Sequence, residues 1–133
     1  MASAEAGLNN AFWLISPQPK FEIDITESHY PRRHTFTIND QRRSPSVATG
    51  KQWISNFDLS EDFHVFAAAW DEEGVTFYLD GKEVGRTACD FCADAAPIRF
   101  SSAIGAWTGP ITDALDGTRM EVDWVRVYQL VKQ

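Results

Sequence analysis

Long apolar runs are missing from this chain of 133 residues: no stretch approaches the ~20 residues that a helix needs to cross a bilayer, which argues against a membrane partner. Nor does a basic, apolar amino-terminal segment read as a signal peptide. Histidine is scarce, and His29, His34 and His64 lack metal-ligand spacing. Cysteine is scarcer still. Cys89 and Cys92 form one C-x-x-C with no second pair to complete a zinc site, and without the βαβ context of a thioredoxin-like redox motif. In a loop after Arg86-Thr87 the pair reads as a local disulfide in an oxidising compartment, or as two free thiols otherwise. Positive charge is in deficit, with 12 Lys and Arg against 19 Asp and Glu. The net charge of −7 repels a phosphate backbone and sets nucleic acid aside as a partner. Helical periodicity of useful length is absent as well.

What remains is a β-rich chain, 44 % hydrophobic, that reads as one domain over residues 1–133 with enough apolar surface for a core. Short apolar runs between turn signals predict strands at Phe12–Ser16, Phe21–Glu27, His34–Asn39, His64–Trp70, Val75–Asp80, Lys82–Arg86, Ile98–Ile104 and Met120–Val131. Asp71-Glu72-Glu73-Gly74 and Asp80-Gly81 read as hairpin turns. Phe66-Ala67-Ala68-Ala69-Trp70 has helical propensity, but its flanking turns argue for a strand of small residues. Many short strands with regular turns imply an all-β antiparallel sandwich.

One of these strands is chemically unusual. Phe21-Glu22-Ile23-Asp24-Ile25-Thr26-Glu27 carries three carboxylates in an apolar, β-branched run. Alternation sends Glu22 and Asp24 to one face and Phe21, Ile23 and Ile25 to the other, while Glu27 breaks the parity. A β-bulge around Ile25 and Thr26 returns Glu27 to the side of the other two acids. Two glutamates flanking an aspartate on one face suit retaining glycoside hydrolysis, in which one Glu attacks the anomeric carbon and the other protonates the leaving oxygen. The aspartate between them helps to hold their pKa values apart. The plain alternative is an edge strand with solvated acids.

A resemblance runs along nearly the whole chain. Asn10-Ala11-Phe12-Trp13-Leu14-Ile15 followed by Glu22-Ile23-Asp24-Ile25-Thr26-Glu27 resembles the "PAFWLL … EIDIxE" block of glycoside hydrolase family 16. Asp62-Phe63-His64-Val65-Phe66 with Trp70, Phe77-Tyr78-Leu79-Asp80-Gly81-Lys82, and Met120-Glu121-Val122-Asp123-Trp124-Val125-Arg126-Val127-Tyr128 are similar to later blocks of the family in the same order. The resemblance implies a concanavalin A-like jelly roll, with Glu22 as nucleophile, Asp24 as assisting acid and Glu27 as general acid/base. The bulged motif belongs to the laminarinase and marine-galactanase side of the family. It also implies secretion to an extracellular or periplasmic space, no cofactor, and a structural calcium for which this sequence has no recognisable ligand spacing. Two departures stand out: Phe21 occupies a position that is often glycine, and the chain begins a dozen residues before its Trp13 block. The expectation is therefore the carboxy-terminal part of a catalytic domain, with strands missing on the amino-terminal side and exposed edges that favour a homodimer.

Residues 28–51 are basic. Arg32, Arg33, Arg42, Arg43 and Lys51 against Asp40 give +4, leaving −11 for the rest of a chain whose total is −7. Arginine forks on a cleft rim suit sulfate esters or uronate carboxylates, and a solvated loop is the alternative. Arg32-Arg33-His34-Thr35-Phe36-Thr37-Ile38-Asn39-Asp40 also resembles the "HVFIRD" strand of agarases, porphyranases and κ-carrageenases, which implies a place for His34 near the acid/base. Among the tryptophans, Trp107 in the glycine-flanked Gly105-Ala106-Trp107-Thr108-Gly109 is the leading sugar platform. Trp13 is next, with core packing as its alternative, while Trp70 and Trp124 read as core and His64 as a structural hydrogen-bonding residue. Three readings follow: a retaining endo-hydrolase or transglycosylase on a β-linked glucan or galactan, a sugar-binding domain without turnover, and a fragment active only as an oligomer.

Overall fold

Segments in which β-branched and aromatic residues alternate with polar ones form eight strands in a computed structural model, which describes residues 1–129 apart from Pro19 and Glu72. The strands are β1 (Asn9–Ile15), β2 (Phe21–His29), β3 (Arg33–Asp40), β4 (Val47–Ile54), β5 (Phe66–Trp70), β6 (Gly74–Leu79), β7 (Lys82–Ala88) and β8 (Ile98–Ala103). One sheet has the order β4-β3-β2-β1-β8 and the other β5-β6-β7, with antiparallel pairing throughout. A 3-10 turn at Asp113–Leu115 follows.

The expected hairpins form. Asp80 and Gly81 join β6 to β7 with φ of 50° and 77°, the left-handed pair that a two-residue turn requires. Between β5 and β6, Asp71 Oδ1 accepts the N–H groups of Glu73 and Gly74, and Asp71 N–H donates to Gly74 O. Glu72 of that turn lies outside the described residues. His64 Nδ1–H donates to Asp80 Oδ2 at 2.8 Å, so its role is structural.

The core fills the space between the sheets. Leu14, Phe21, Ile23, Ile25, Phe36 and Ile38 face Val75 and Phe77, and the Phe36 and Phe77 rings stack at 4.7 Å. Each such side chain contributes roughly 1.5–3 kcal/mol when fully buried. Gly85 in β7 makes room for Phe36, since a Cβ there would stand 2.4 Å from the ring. Cys89 and Cys92 are disulfide-bonded and pack into the same core.

The bulge lies where the parity of the acids requires it. Along β2 and β3, Asp24 opposes Thr37 and Glu27 opposes Thr35, three steps against two. Pairing to β1 shifts at the same place, from Asp24 opposite Trp13 to Thr26 opposite Phe12. Ile25 and Thr26 are both buried, Thr26 sharing a 2.8 Å hydroxyl hydrogen bond with Ser28. Glu27 thereby rejoins the face of Glu22 and Asp24.

Four expectations need correction. His34 does not line the acid face: it opposes Ser28, is fully buried, and packs edge-on against Phe36, Trp53 and Phe66. Its Nε2–H donates to Ile25 O at 3.3 Å, so it touches the bulge from behind. Part of the basic segment is a strand, β4, whose exposed edge position leaves no hydrophobic alternation to read. Met120–Gln129, by contrast, forms no strand: among the described residues its backbone meets only Met1, through Glu121, and Val122, Trp124, Val127 and Tyr128 stay exposed. Leu130 and Val131 lie outside the described residues. Trp70 and Trp124 are 39 % and 48 % exposed and therefore not core.

Because burial holds the His34 imidazole neutral down to a pKa of about 4, the unfolded chain binds a proton that the native chain refuses between about pH 4 and 6.5. Stability supplied by this neutral ring is thus lost as pH falls through that window. His34→Ala, which also leaves the Ile25 carbonyl without its donor, should cost about 3 kcal/mol or more in denaturant titrations. His34→Gln, which retains a donor, should cost less and should flatten the acid slope.

Candidate active site

Cross-strand register gathers the acids with their partners. Asn39 of β3 opposes Glu22, and its Nδ2 donates one hydrogen to Glu22 Oε1 at 2.9 Å and the other to Asp24 Oδ2 at 3.0 Å. On the other flank, Asn9 of β1 donates Nδ2–H to Glu27 Oε1 at 2.6 Å. Trp13 stands beside them, its indole N–H donating to Ser101 Oγ at 3.1 Å and its ring 5.3 Å from the Arg99 guanidinium. Glu22, Asp24, Glu27 and Trp13 line a cavity of about 160 Å³ together with Asn9, Ala11 and Ser101.

Crowding three carboxyl groups into one cavity raises proton affinity. Burial first, then the charges of Glu22 and Glu27, push Asp24 up to about 8 against the pull of Asn39. Glu22 is also raised, by burial and then by Glu27, with the Asn39 hydrogen bond opposing. At neutral pH Asp24 therefore keeps its proton and stands uncharged between two glutamates.

A second cavity, of about 280 Å³, is lined by His29, Tyr30, Arg33, Trp107, Thr108 and Gly109. His29 lies two residues beyond Glu27 on β2, and Arg33 opposes it on β3, so this cavity continues the acid face. Arg32 sits exposed on the intervening turn and takes no part. Arg42 and Arg43 are likewise removed: Asp40 accepts two bonds from the Arg42 fork at 2.9 Å each and one from Arg43 at 3.3 Å. Those arginines hold Asp40 down at about 2.

Of the residues singled out from sequence, Glu22, Asp24, Glu27 and Trp13 converge on one cavity and Arg33 and Trp107 on the next. His34 and Arg32 join neither. Asn9 and Asn39 carry no signal in the sequence, and His29 reads there only as a histidine without metal-ligand spacing, since their significance lies in cross-strand neighbours that only the register discloses. No cluster of three or more His, Cys, Asp or Glu suited to a metal exists among the described residues.

The Asp24 shift has a sign that can be tested. Between about pH 3.8 and 8 the native chain holds a proton on Asp24 that the unfolded chain has released, so this group's contribution to stability declines as pH rises through that window. Asp24→Asn cannot titrate. Its stability relative to the native chain should grow steadily from about pH 4 to 8 and level off above, as read from urea midpoints at each pH; a flat or falling difference contradicts a neutral Asp24.

The family model for glycosyl hydrolases family 16 matches residues 1–126. The endo-1,3-1,4-beta-glycanase EglC of Rhizobium meliloti is 29 % identical over 125 residues, which cover 90 % of this chain and 27 % of that protein. A family 16 endo-glucanase from Bacteroides ovatus superposes with a TM-score of 0.71 at 20 % identity, over 85 % of this chain and 56 % of its own. The laminarinase catalytic domain of Thermotoga maritima gives 0.68 at 25 % identity, over 87 % and 55 %. This chain thus spans about a quarter of the curated relative and about half of each solved structure, and its two antiparallel sheets are those of the jelly roll. With the match running over almost its full length, the chain belongs to glycosyl hydrolases family 16.

Proposed function

We propose that the chain carries the chemistry of a retaining endo-acting glycoside hydrolase for a β-linked polysaccharide. The observation that carries this reading is the convergence of Glu22, Asp24 and Glu27, through one bulge, on a cavity walled by Trp13. In the reaction Glu22 attacks the anomeric carbon while Glu27 protonates the departing glycosidic oxygen, forming a glycosyl ester. Glu27, now ionised, takes a proton from water; the water attacks the ester and frees Glu22. Asp24, neutral and between them, limits the charge gathered in the cavity, and Asn39 and Asn9 fix the orientation of the acids. Trp13 offers a face to the apolar side of a pyranose ring.

The relatives named above are an endo-1,3-1,4-beta-glycanase, an endo-glucanase and a laminarinase, which favours a β-1,3- or mixed-linkage glucan backbone, with a marine galactan as the alternative polymer. The Cys89–Cys92 disulfide supports a secreted protein, since such bonds persist in oxidising compartments. A second reading, in which the chain is active only as an oligomer, draws support from the exposed apolar residues of segment 120–129.

Product release from laminarin, mixed-linkage glucan and κ-carrageenan tests the hydrolase. Glu22→Gln and Glu27→Gln should each lower turnover by about a thousandfold or more with the fold intact. Activity kept in both variants sinks the assignment. The native rate should also fall as pH rises through about 8, where Asp24 ionises and adds a further negative charge, and Asp24→Asn should lose that component of the alkaline limb along with part of its rate.

A further inference from the structure

The cavity of His29, Arg33 and Trp107 has no part in the chemistry above, yet it adjoins Glu27 and is built around a cation. Arg33 is half-buried, and no carboxylate oxygen lies within 4 Å of its nitrogens among the described residues. Its Nη2 is bonded instead to His29 Nδ1 at 2.6 Å and to the carbonyl of Trp107 at 3.2 Å, both uncharged acceptors. A guanidinium can only donate, so His29 Nδ1 must be the bare nitrogen and the imidazole proton must sit on Nε2. Burial and the adjacent guanidinium keep that ring neutral, with a pKa lowered to about 4. Two kinds of donor, one of them cationic, thus meet in a single cavity without an anion.

The third wall is aromatic and held in place. Trp107 is 61 % exposed, and its ring folds over Gly105, where a Cβ would stand 2.3 Å from Cζ3. Thr108 closes the turn beneath it, Oγ1 donating to Gly105 O at 2.7 Å and N–H to the same oxygen at 3.0 Å. Such a platform stacks on a sugar ring, while a guanidinium fork at its edge binds a planar or tetrahedral oxyanion through charge-assisted hydrogen bonds.

We propose that this cavity binds a sugar unit bearing an anionic substituent, a carboxylate or a sulfate ester, on the Glu27 side of the scissile bond. The placement rests on the hydrolase reading, in which Glu27 protonates the leaving oxygen, so the anionic unit belongs to the leaving portion of the chain. Asp24, kept neutral, limits the repulsion that an acidic polymer meets in the neighbouring cavity.

Binding by calorimetry, which needs no turnover, separates this inference from the catalytic one. The native chain is titrated with three oligosaccharides of matched length: a neutral β-1,3-glucan, a uronate-bearing oligosaccharide and a sulfated galactan. At least one acidic ligand should bind more tightly than the neutral one, and which of them does so identifies the anion. Arg33→Gln, which keeps a donor for Trp107 O and His29, should weaken the acidic ligand about tenfold or more, remove most of its salt dependence and leave the neutral ligand within about twofold. Equal losses for acidic and neutral ligands would make Arg33 a tie for the Trp107 loop and overturn the proposal, as would native affinity that ignores charge, or acidic ligands that fail to bind at millimolar concentration. Failure of the hydrolase reading shows itself separately, as binding without Glu22-dependent product release.

Discussion

A strand of alternating side chains can place residues at offsets of two and four on one face but never one at five, and the arrangement of β2 turns on escaping that rule. The extra residue at Ile25 and Thr26 is what turns Glu27 from the core to the cavity. Without it, Glu27 would meet the packed side of the sheet, where Phe21 and Ile23 are fully buried and an unpaired carboxylate is costly. The bulge in turn leaves a backbone carbonyl, Ile25 O, in the interior, and His34 supplies its donor. That repair has a cost of its own, because His34 Nδ1 then lies buried without a partner among the described residues. Packing on one side of β2 and chemistry on the other are thus coupled through a single residue's worth of register.

Proximity of the three acids sets the proton inventory of the cavity. Carboxylates held this close in a partly buried space cannot all ionise together, and Asp24, the most enclosed of them, keeps its proton up to about pH 8. Two asparagines complete the arrangement from either side. A neutral amide is the suitable neighbour here: it donates to a carboxylate without adding a positive charge that would strip the proton from Asp24. A lysine or arginine at either position would stabilise ionised acids and undo the difference between them.

Local periodicity made some of this legible in the sequence and left the rest hidden. The Phe21–Glu27 run declares both its strand and its bulge, because the apolar residues and the acids cannot otherwise be sorted to two faces. Asp80-Gly81 declares its turn through a backbone conformation that few residues tolerate. β4 is hidden because an edge strand exposed on most positions carries no alternation, and Met120–Gln129 misleads for the opposite reason, since its alternation is strong but no strand among the described residues pairs with it. His34 is misplaced by the resemblance, since its face follows from the register of β3 against a bulged β2. Asn9, Asn39 and His29 are chemically ordinary until a neighbour 15 to 18 residues away, or Arg33 across the turn, gives them a task.

Charge shows the same separation between what is local and what is not. As a sum, the basic segment reads as one patch of +4 within an acidic chain. Its arginines divide once they are placed. Asp40 absorbs the fork of Arg42 and a bond from Arg43, an arrangement that strengthens the β3 terminus and leaves those two cations little field to offer outward. Arg32 projects into water, where screening reduces a lone charge to a minor influence beyond about 8–10 Å. Arg33 alone of the four is half-buried with neutral partners, so its charge is neither cancelled nor fully screened, and its field is felt in the cavity beside Glu27. A net charge of −7 governs how the chain meets a distant polyelectrolyte, but at contact distance a single guanidinium with no carboxylate partner outweighs it. An acidic protein can therefore hold an anion wherever the fold has set one cation apart from its own carboxylates.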